Sequence, residues 1–313
     1  MRIVSLEEIK TVLPSLDLLS AIEQAFVRYS AGEAVVPPVG ELLVEKGEVH
    51  IKYGCLAGDR YYVIKIASGF YGNPTLGIPS SNGLMLLFEQ ETGEPVSILL
   101  DEGYLTDVRT ALAGAVVAKH LAPTVVNRIG IAGTGVQARL QLVYLQQVTD
   151  CRDVLVWGRN GEHVAAYHFD METLGFRVEG TVEACELFQT CNLVVTTTPS
   201  DVPLLFARDL RPGTHITAVG SDTPHKQELD AEILRRADVV VADSIAQCRL
   251  RGEIHKALEV GAIAPEKAVE LGNVISGRAT GRTSDDQITV ADLTGVAVQD
   301  IAITTAVHDA LCA

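Results

Sequence analysis

One segment constrains this chain more than any other. Arg128-Ile129-Gly130-Ile131-Ala132 is a short apolar run, and Gly133-Thr134-Gly135-Val136-Gln137-Ala138 follows it in the pattern G-x-G-x-x-A. A helical pattern then opens at Val136. In that setting each small residue has a physical task. Gly133 permits a tight turn, Gly135 lets the backbone approach a pyrophosphate, and Ala138 lets the helix lie close on the strand. Backbone groups of Gly133, Thr134, Gly135, Val136 and Gln137 then surround the phosphates at the positive end of the helix dipole. The same alternation continues downstream. Strand-like runs at Arg128–Ala132, Asp153–Trp157, Leu193–Thr197, His215–Val219 and Val239–Ala242 alternate with helical patterns near Val136–Val148, Gly161–Leu174, Val182–Phe188 and Ala231–Arg236. This predicts an α/β fold with a doubly wound parallel sheet, a Rossmann dinucleotide-binding domain.

The N-terminal third is written differently. Ser5-Leu6-Glu7-Glu8 forms a capping box, and Leu18, Ile22, Ala25, Phe26 and Tyr29 recur at helical spacing between Asp17 and Ala31, with Gly32 as the stop. Short β-like runs follow at Glu41–Val44, Val49–Tyr53, Tyr61–Ala67, Gly83–Glu89 and Pro95–Leu100. No long helical pattern separates them, so an antiparallel or mixed sheet is expected. Thr106 reads as the cap of an Ala- and Val-rich helix ending near Leu121, before Pro123. The apolar tail from Gly295 to Cys312 has a helical pattern and is expected to pack on this first domain. The predicted organisation is therefore an α+β substrate-binding and dimerisation domain, 1–120 with 295–313, and a Rossmann domain, 121–294.

With 25 Lys+Arg against 40 Asp+Glu the chain carries a formal charge of −15. That argues against nucleic acid and against anionic lipid surfaces, both of which require a basic footprint. Acidic residues come before any apolar stretch at the N-terminus, and no apolar run approaches the roughly 18 residues that span a bilayer. The six cysteines, Cys55, Cys151, Cys185, Cys191, Cys248 and Cys312, show no paired spacing. Reduced thiols in a cytoplasmic protein are expected, with no metal site.

Against this acidic background, individual cations stand out. The second strand of the alternating series ends Val156-Trp157-Gly158-Arg159-Asn160, where NAD-selective folds usually place an acid. A carboxylate there would repel a 2′-phosphate, whereas Arg159 can bind one, so NADP(H) is favoured with NAD(H) possible. A solvated surface arginine is the competing reading. Arg109 falls in the first turn of the Thr106 helix, where a cation opposes the dipole unless an anion is near. It either reaches solvent or binds a phosphate or carboxylate. Lys65 shares a strand face with Tyr61, Val63 and Ala67. A lysine on such a face is either exposed at an edge or buried, where it can hold a carboxylate or titrate near neutrality. Asp222 follows the strand ending at Val219, at the carboxyl end where doubly wound folds bind ligands. It could exchange the proton that accompanies hydride transfer, or serve an Asx turn or cap before a helix at Gln227-Glu228.

Lined up together, these segments resemble the ornithine cyclodeaminase/mu-crystallin family. The resemblance covers most of the chain. It rests on Val63-Ile64-Lys65 through Gly77-Ile78-Pro79-Ser80, Leu105–Ala111, Gly130–Ala138, Val219–Pro224, Arg251-Gly252-Glu253 and Thr289–Asp300. It implies an enzyme that oxidises a small amino acid at its α-carbon, or reduces a cyclic imine, by hydride exchange with a bound nicotinamide. It implies that Lys65 lies near the substrate carboxylate, that Asp222 is the acid/base, and that Arg109 lies near cofactor and substrate. By the same resemblance Ser80, Thr198, Val219 and Lys226 contact the dinucleotide, and a homodimer forms through the first domain.

Three departures bear on the substrate. Cyclodeaminases carry an arginine after the early proline pair, but this loop reads Pro37-Pro38-Val39-Gly40. The next strand usually presents Met-Pro, and here has Lys52-Tyr53, so Lys52 is a candidate for the missing cation. Leu293 replaces a serine of the closing motif, leaving Thr294 beside it as a candidate substrate contact. The expected activity is cyclodeaminase-like deaminating cyclisation. The alternatives are an NADPH-dependent reductase of Δ1-pyrroline- or piperideine-2-carboxylate, an alanine-type dehydrogenase, or a non-catalytic, mu-crystallin-like NADP-dependent binder.

Overall fold

A computed structural model describes residues 1–70 and 72–312. The chain divides into two units, the first comprising Met1–Arg109 and the segment from Val296, the second Thr110–Gly295. The division falls inside the helix Tyr104–Leu121, earlier than the boundary at 120 expected from sequence.

The first unit is built on a seven-stranded mixed sheet. Its strands are β1 (Arg2–Ser5), β2 (Ala34–Val35), β3 (Gly40–Val44), β4 (Gly47–Leu56), β5 (Tyr61–Gly69), β6 (Ser81–Glu89) and β7 (Pro95–Leu100). The order is β1-β7-β6-β5-β4-β2 with β3 paired to β4, and only β1–β7 is parallel. Alternation in β5 buries Tyr61, Val63 and Lys65, as the period-two pattern predicts, while Ala67 is only half-buried. The capping box forms as expected, with the Ser5 hydroxyl accepting from the Glu8 N–H and the Glu8 carboxylate accepting from the Ser5 N–H. The helix Leu18–Ser30 is capped by Asp17. The C-terminal helix Ala297–Cys312 packs on that helix and on β4 and β5, burying Val298, Ile301, Ile303 and Val307. Burial of each such side chain contributes about 1.5–3 kcal/mol.

One capping assignment is corrected. The helix expected to start at Thr106 starts at Tyr104. Glu102 and Gly103 take positive φ (54° and 85°), and the Asp101 carboxylate accepts the Leu105 N–H at 2.8 Å. Thr106 is therefore inside the first turn and Arg109 in the second, so the dipole argument for Arg109 does not apply.

The second unit is an eight-stranded, wholly parallel sheet. Its strands are β8 (Ile129–Ala132), β9 (Asp153–Trp157), β10 (Arg177–Thr181), β11 (Leu193–Thr196), β12 (His215–Ala218), β13 (Val239–Ala242), β14 (Ala268–Glu270) and β15 (Thr289–Asp292). The order β10-β9-β8-β11-β12-β15-β13-β14 has its reversal between β8 and β11, the switch point at which such sheets bind ligands. Two buried apolar layers flank it, one around Leu142, Tyr167 and Val195 and the other around Phe188, Leu229 and Val290. The helix Val136–Leu145 follows β8, and Asn160 caps the helix Gly161–Glu172 by accepting the Glu162 N–H at 2.8 Å. No helix forms at Gln227-Glu228. The next one is Ala231–Arg236, capped by Asp230, so the cap role considered for Asp222 is absent.

Among the described residues all six cysteines are free thiols. Among the same residues no helix is long and apolar enough to cross a membrane, and no group of His, Cys, Asp and Glu is arranged to hold a metal ion.

Candidate active site

In the first unit, register places Lys52 on β4 directly opposite Lys65 on β5. Cross-strand partners share a sheet face, so two ammonium groups meet on the face covered by the C-terminal helix. Asp300 on that helix answers them. Its Oδ2 lies 3.4 Å from Lys65 Nζ and its Oδ1 3.0 Å from Arg109 Nε, with Lys65 and Asp300 at 2% and 1% side-chain exposure. Arg109 also donates through Nη1 to Gln299 Oε1 at 3.0 Å. These ion pairs are within charge contact but are not aligned hydrogen bonds. Arg109 Nε and both Asp300 oxygens are buried without a hydrogen-bond partner.

Burial pushes the Lys65 ammonium down to about 7, with Arg109 and Lys52 adding to the shift and Asp300 opposing it. Asp101, also buried, is raised by desolvation, while its Oδ2 accepts the Leu105 N–H. Lys65 and Arg109 are thus held beside buried Asp300, with Lys52 opposite Lys65 on the neighbouring strand, an arrangement that suits a further anion. Ser80 lies half-buried just ahead of β6. Val39 occupies the loop before β3, and Lys52 is buried, so the cation stands on the strand rather than the loop.

In the second unit, the glycine turn sits at the switch point. Gly133 has φ +121°, and a Cβ there would lie 2.5 Å from Thr197 Oγ1. Its N–H donates to Trp157 O at 2.9 Å, tying the turn to the end of β9. At Gly135, which caps the helix Val136–Leu145, a Cβ would meet nothing within 4 Å. A closed turn beside an open, exposed helix N-terminus fits a dinucleotide phosphate. Thr134 and Gln137 are half-buried and Val136 exposed around it. Arg159 is exposed immediately after β9 and Gly158, and Asn160 beside it is engaged as a helix cap.

Asp222 lies past the end of β12, beyond Val219, which donates to Thr196 O at 3.0 Å. Its side chain is 36% exposed, and Lys226 Nζ donates to its Oδ1 at 2.8 Å. Lys226, expected at the dinucleotide, is buried and pairs with Asp222. Thr198, expected there too, donates its N–H and hydroxyl to Glu228 Oε1. Thr294 is buried, its hydroxyl donating to Asp243 Oδ1 at 3.1 Å and accepting from Gln247 Nε2 at 2.9 Å. Sequence reasoning gives Glu253 and Asp300 only as members of matched stretches and assigns no role to them or to Glu228.

Residues 2–313 match the ornithine cyclodeaminase/mu-crystallin family. The chain belongs to that family. A protein of Sinorhizobium fredii named as an uncharacterized cyclodeaminase is 44% identical over 97% of this chain and 94% of its own. An archaeal alanine dehydrogenase dimer, solved with bound NAD, superposes with TM-score 0.91 at 35% identity, covering 99% of this chain and 95% of that one. The Δ1-pyrroline-2-carboxylate reductase of Thermococcus litoralis, solved with NADH and L-proline, gives TM-score 0.93 at 26% identity over 100% and 98%. Within the family fold, the Rossmann-like parallel sheet and the mixed-sheet domain are the two units described above.

Proposed function

We propose that this family member is an NADP(H)-dependent oxidoreductase that interconverts a small α-amino acid and its imine, working as an imine reductase or amino-acid dehydrogenase. The observation that carries the reading is the pairing of Lys65 and Arg109 with buried Asp300, with Lys52 opposite Lys65 on the next strand, in an otherwise acidic chain. A site of that charge suits a substrate carboxylate. Lys65 and Arg109 hold it, and Lys52 takes the place of the cation that Val39 lacks.

The backbone of Gly133 to Gln137 would hold the cofactor's pyrophosphate, with Thr198 near the same sheet ends. A nicotinamide cofactor bound there would supply or accept a hydride at the substrate α-carbon. Asp222, oriented by Lys226, moves the proton on the substrate nitrogen. The choice of NADP(H) rests on Arg159, an exposed guanidinium just past β9 that suits a 2′-phosphate. The relatives solved with a nicotinamide cofactor are described with NAD or NADH.

Cyclodeamination is the second reading, favoured by the name of the 44% identical relative. The two differ in redox balance. A panel of ornithine, lysine, proline, alanine and cyclic imines with each cofactor, followed by product and by NAD(P)H absorbance, separates them. Lasting consumption of NADPH with an imine, or lasting gain with an amino acid, supports the proposal. Ammonia release with cofactor unchanged supports cyclodeamination instead.

A homodimer is part of the proposal. Leu42 and Val44 on β3, with Ile51 and Tyr53 on β4, share one face of the hairpin and expose an apolar surface that a second copy would cover. Leu42→Glu is expected to halve the mass measured by light scattering, and an unchanged mass counts against that interface.

A further inference from the structure

The family motif Arg251-Gly252-Glu253 has no role in the mechanism just described, yet its side chains converge on the segment carrying Asp222. Gly252 has φ +88°, and a Cβ there would lie 2.6 Å from Asp292 Oδ2, so only glycine fits. This turn sends Arg251 and Glu253 to the same neighbour. Arg251 Nη1 donates to Asp222 O at 3.1 Å. Glu253 Oε1 accepts the Ser221 hydroxyl at 2.5 Å and the Glu228 N–H at 2.7 Å, and its Oε2 accepts the Leu229 N–H at 3.1 Å.

Glu228 completes the arrangement from the sheet side. Its Oε1 accepts the Thr198 N–H and hydroxyl at 2.6 and 2.7 Å, and its Oε2 accepts the Thr196 hydroxyl at 2.7 Å and the Gly220 N–H at 2.9 Å. It therefore ties the end of β11 to the end of β12. Both glutamates are fully enclosed, at 0% and 1% exposure. Burial raises Glu228 to about 7 and Glu253 to about 8, with their mutual repulsion adding to the latter. Two buried acids are a costly way to fill space, and apolar residues of similar volume would serve stability at least as well. Here they fix residues 220–229 of the irregular chain between β12 and the helix Ala231–Arg236, anchored at Gly220, Ser221, Glu228 and Leu229.

We propose that Glu253 and Glu228 act as a carboxylate clamp that positions Asp222 and Lys226 for proton transfer, through Ser221 and Gly220. They are positioning residues, since neither reaches substrate. The inference rests on the functional reading above, because it assigns Asp222 the proton-transfer role.

The decisive variants are Ser221→Ala, which removes the link and leaves both acids in place, Ser221→Thr, which keeps the hydroxyl, and Glu253→Gln. Misplacing a reacting group by about 1 Å can cost on the order of 100-fold. Ser221→Ala and Glu253→Gln are expected to lower kcat at least about tenfold and to move the apparent pKa of the kcat profile, with the NADPH Kd within about twofold of wild type. Ser221→Thr is expected to recover most of the loss. If Glu253→Gln does not fold, the two Ser221 variants decide. Wild-type kcat and an unmoved pH profile in Ser221→Ala would overturn the clamp. A wild-type protein inactive across the panel would remove the functional reading instead. Hydrogen exchange over residues 220–229 then tests the clamp without turnover, with faster exchange in Ser221→Ala supporting it and unchanged exchange overturning it.

Discussion

Lys65 on β5 and Asp300 on the C-terminal helix face one another across 3.4 Å with almost no solvent contact, and Arg109 holds the other Asp300 oxygen. A fully buried lysine is a stability cost when the chain must accept its proton from water. With Lys65 lowered from the ordinary 10.5 to about 7, the unfolded chain binds the proton more tightly than the folded one does. The penalty is complete below about pH 7 and fades as pH rises toward 10.5. Lys65→Met is therefore expected to stabilise the protein by about 2–5 kcal/mol at pH 6, with a gain that shrinks between pH 7 and 10.5, while abolishing turnover. Urea unfolding at several pH values measures it. A destabilised Lys65→Met at pH 6 would show that Asp300 depends on Lys65 more than Lys65 burdens the fold.

Lys52 tests how the substrate is held. If it replaces the cation absent at Val39, Lys52→Met raises KM for the carboxylate substrate about 10–100-fold and leaves kcat within about threefold, the signature of lost uniform binding. Steady-state kinetics decide, and normal KM in Lys52→Met would return the carboxylate to Lys65 and Arg109 alone.

Arg159 tests cofactor choice. Arg159→Ala is expected to weaken NADPH binding by about 10–100-fold, the loss of one charge-assisted contact to a phosphate, and to leave NADH within about twofold. Titration of cofactor fluorescence with both nucleotides checks it. Equal losses for both would assign Arg159 to a shared feature of the dinucleotide.

Much of the fold was legible because its signals are local. The glycine turn, the apolar runs of β8, β9 and β13 and the capping box at Ser5 depend on a few neighbouring residues. β15 was not legible. Its Thr-Val-Ala-Asp run is buried at all four positions, but only insertion between β12 and β13 explains why. β10 buries one residue in five, and without its pairing to β9 it reads as loop. Arg109 was assigned to the first helical turn because Thr106 has cap chemistry, whereas Asp101 and a two-residue positive-φ turn set the start. The candidate site shows the same division. Lys65 and Asp222 stood out by pattern and resemblance, but Asp300 is one of two acids in a largely apolar helix, and only the tertiary structure brings it to Lys65. The bond between Lys226 and Asp222 was not legible, because it forms in a loop that has no periodicity to reveal it.

The central claim is hydride transfer at an α-carbon with Asp222 moving the proton, and isotope transfer tests it most directly. NADPH deuterated at the transferable C4 position is incubated with Δ1-pyrroline-2-carboxylate and the other imines of the panel, using wild type and Asp222→Asn. The account predicts deuterium at the product α-carbon with equimolar NADPH loss, and a rate at least about 100-fold lower for Asp222→Asn. Absence of label in every product, or an Asp222→Asn protein as fast as wild type, would contradict it.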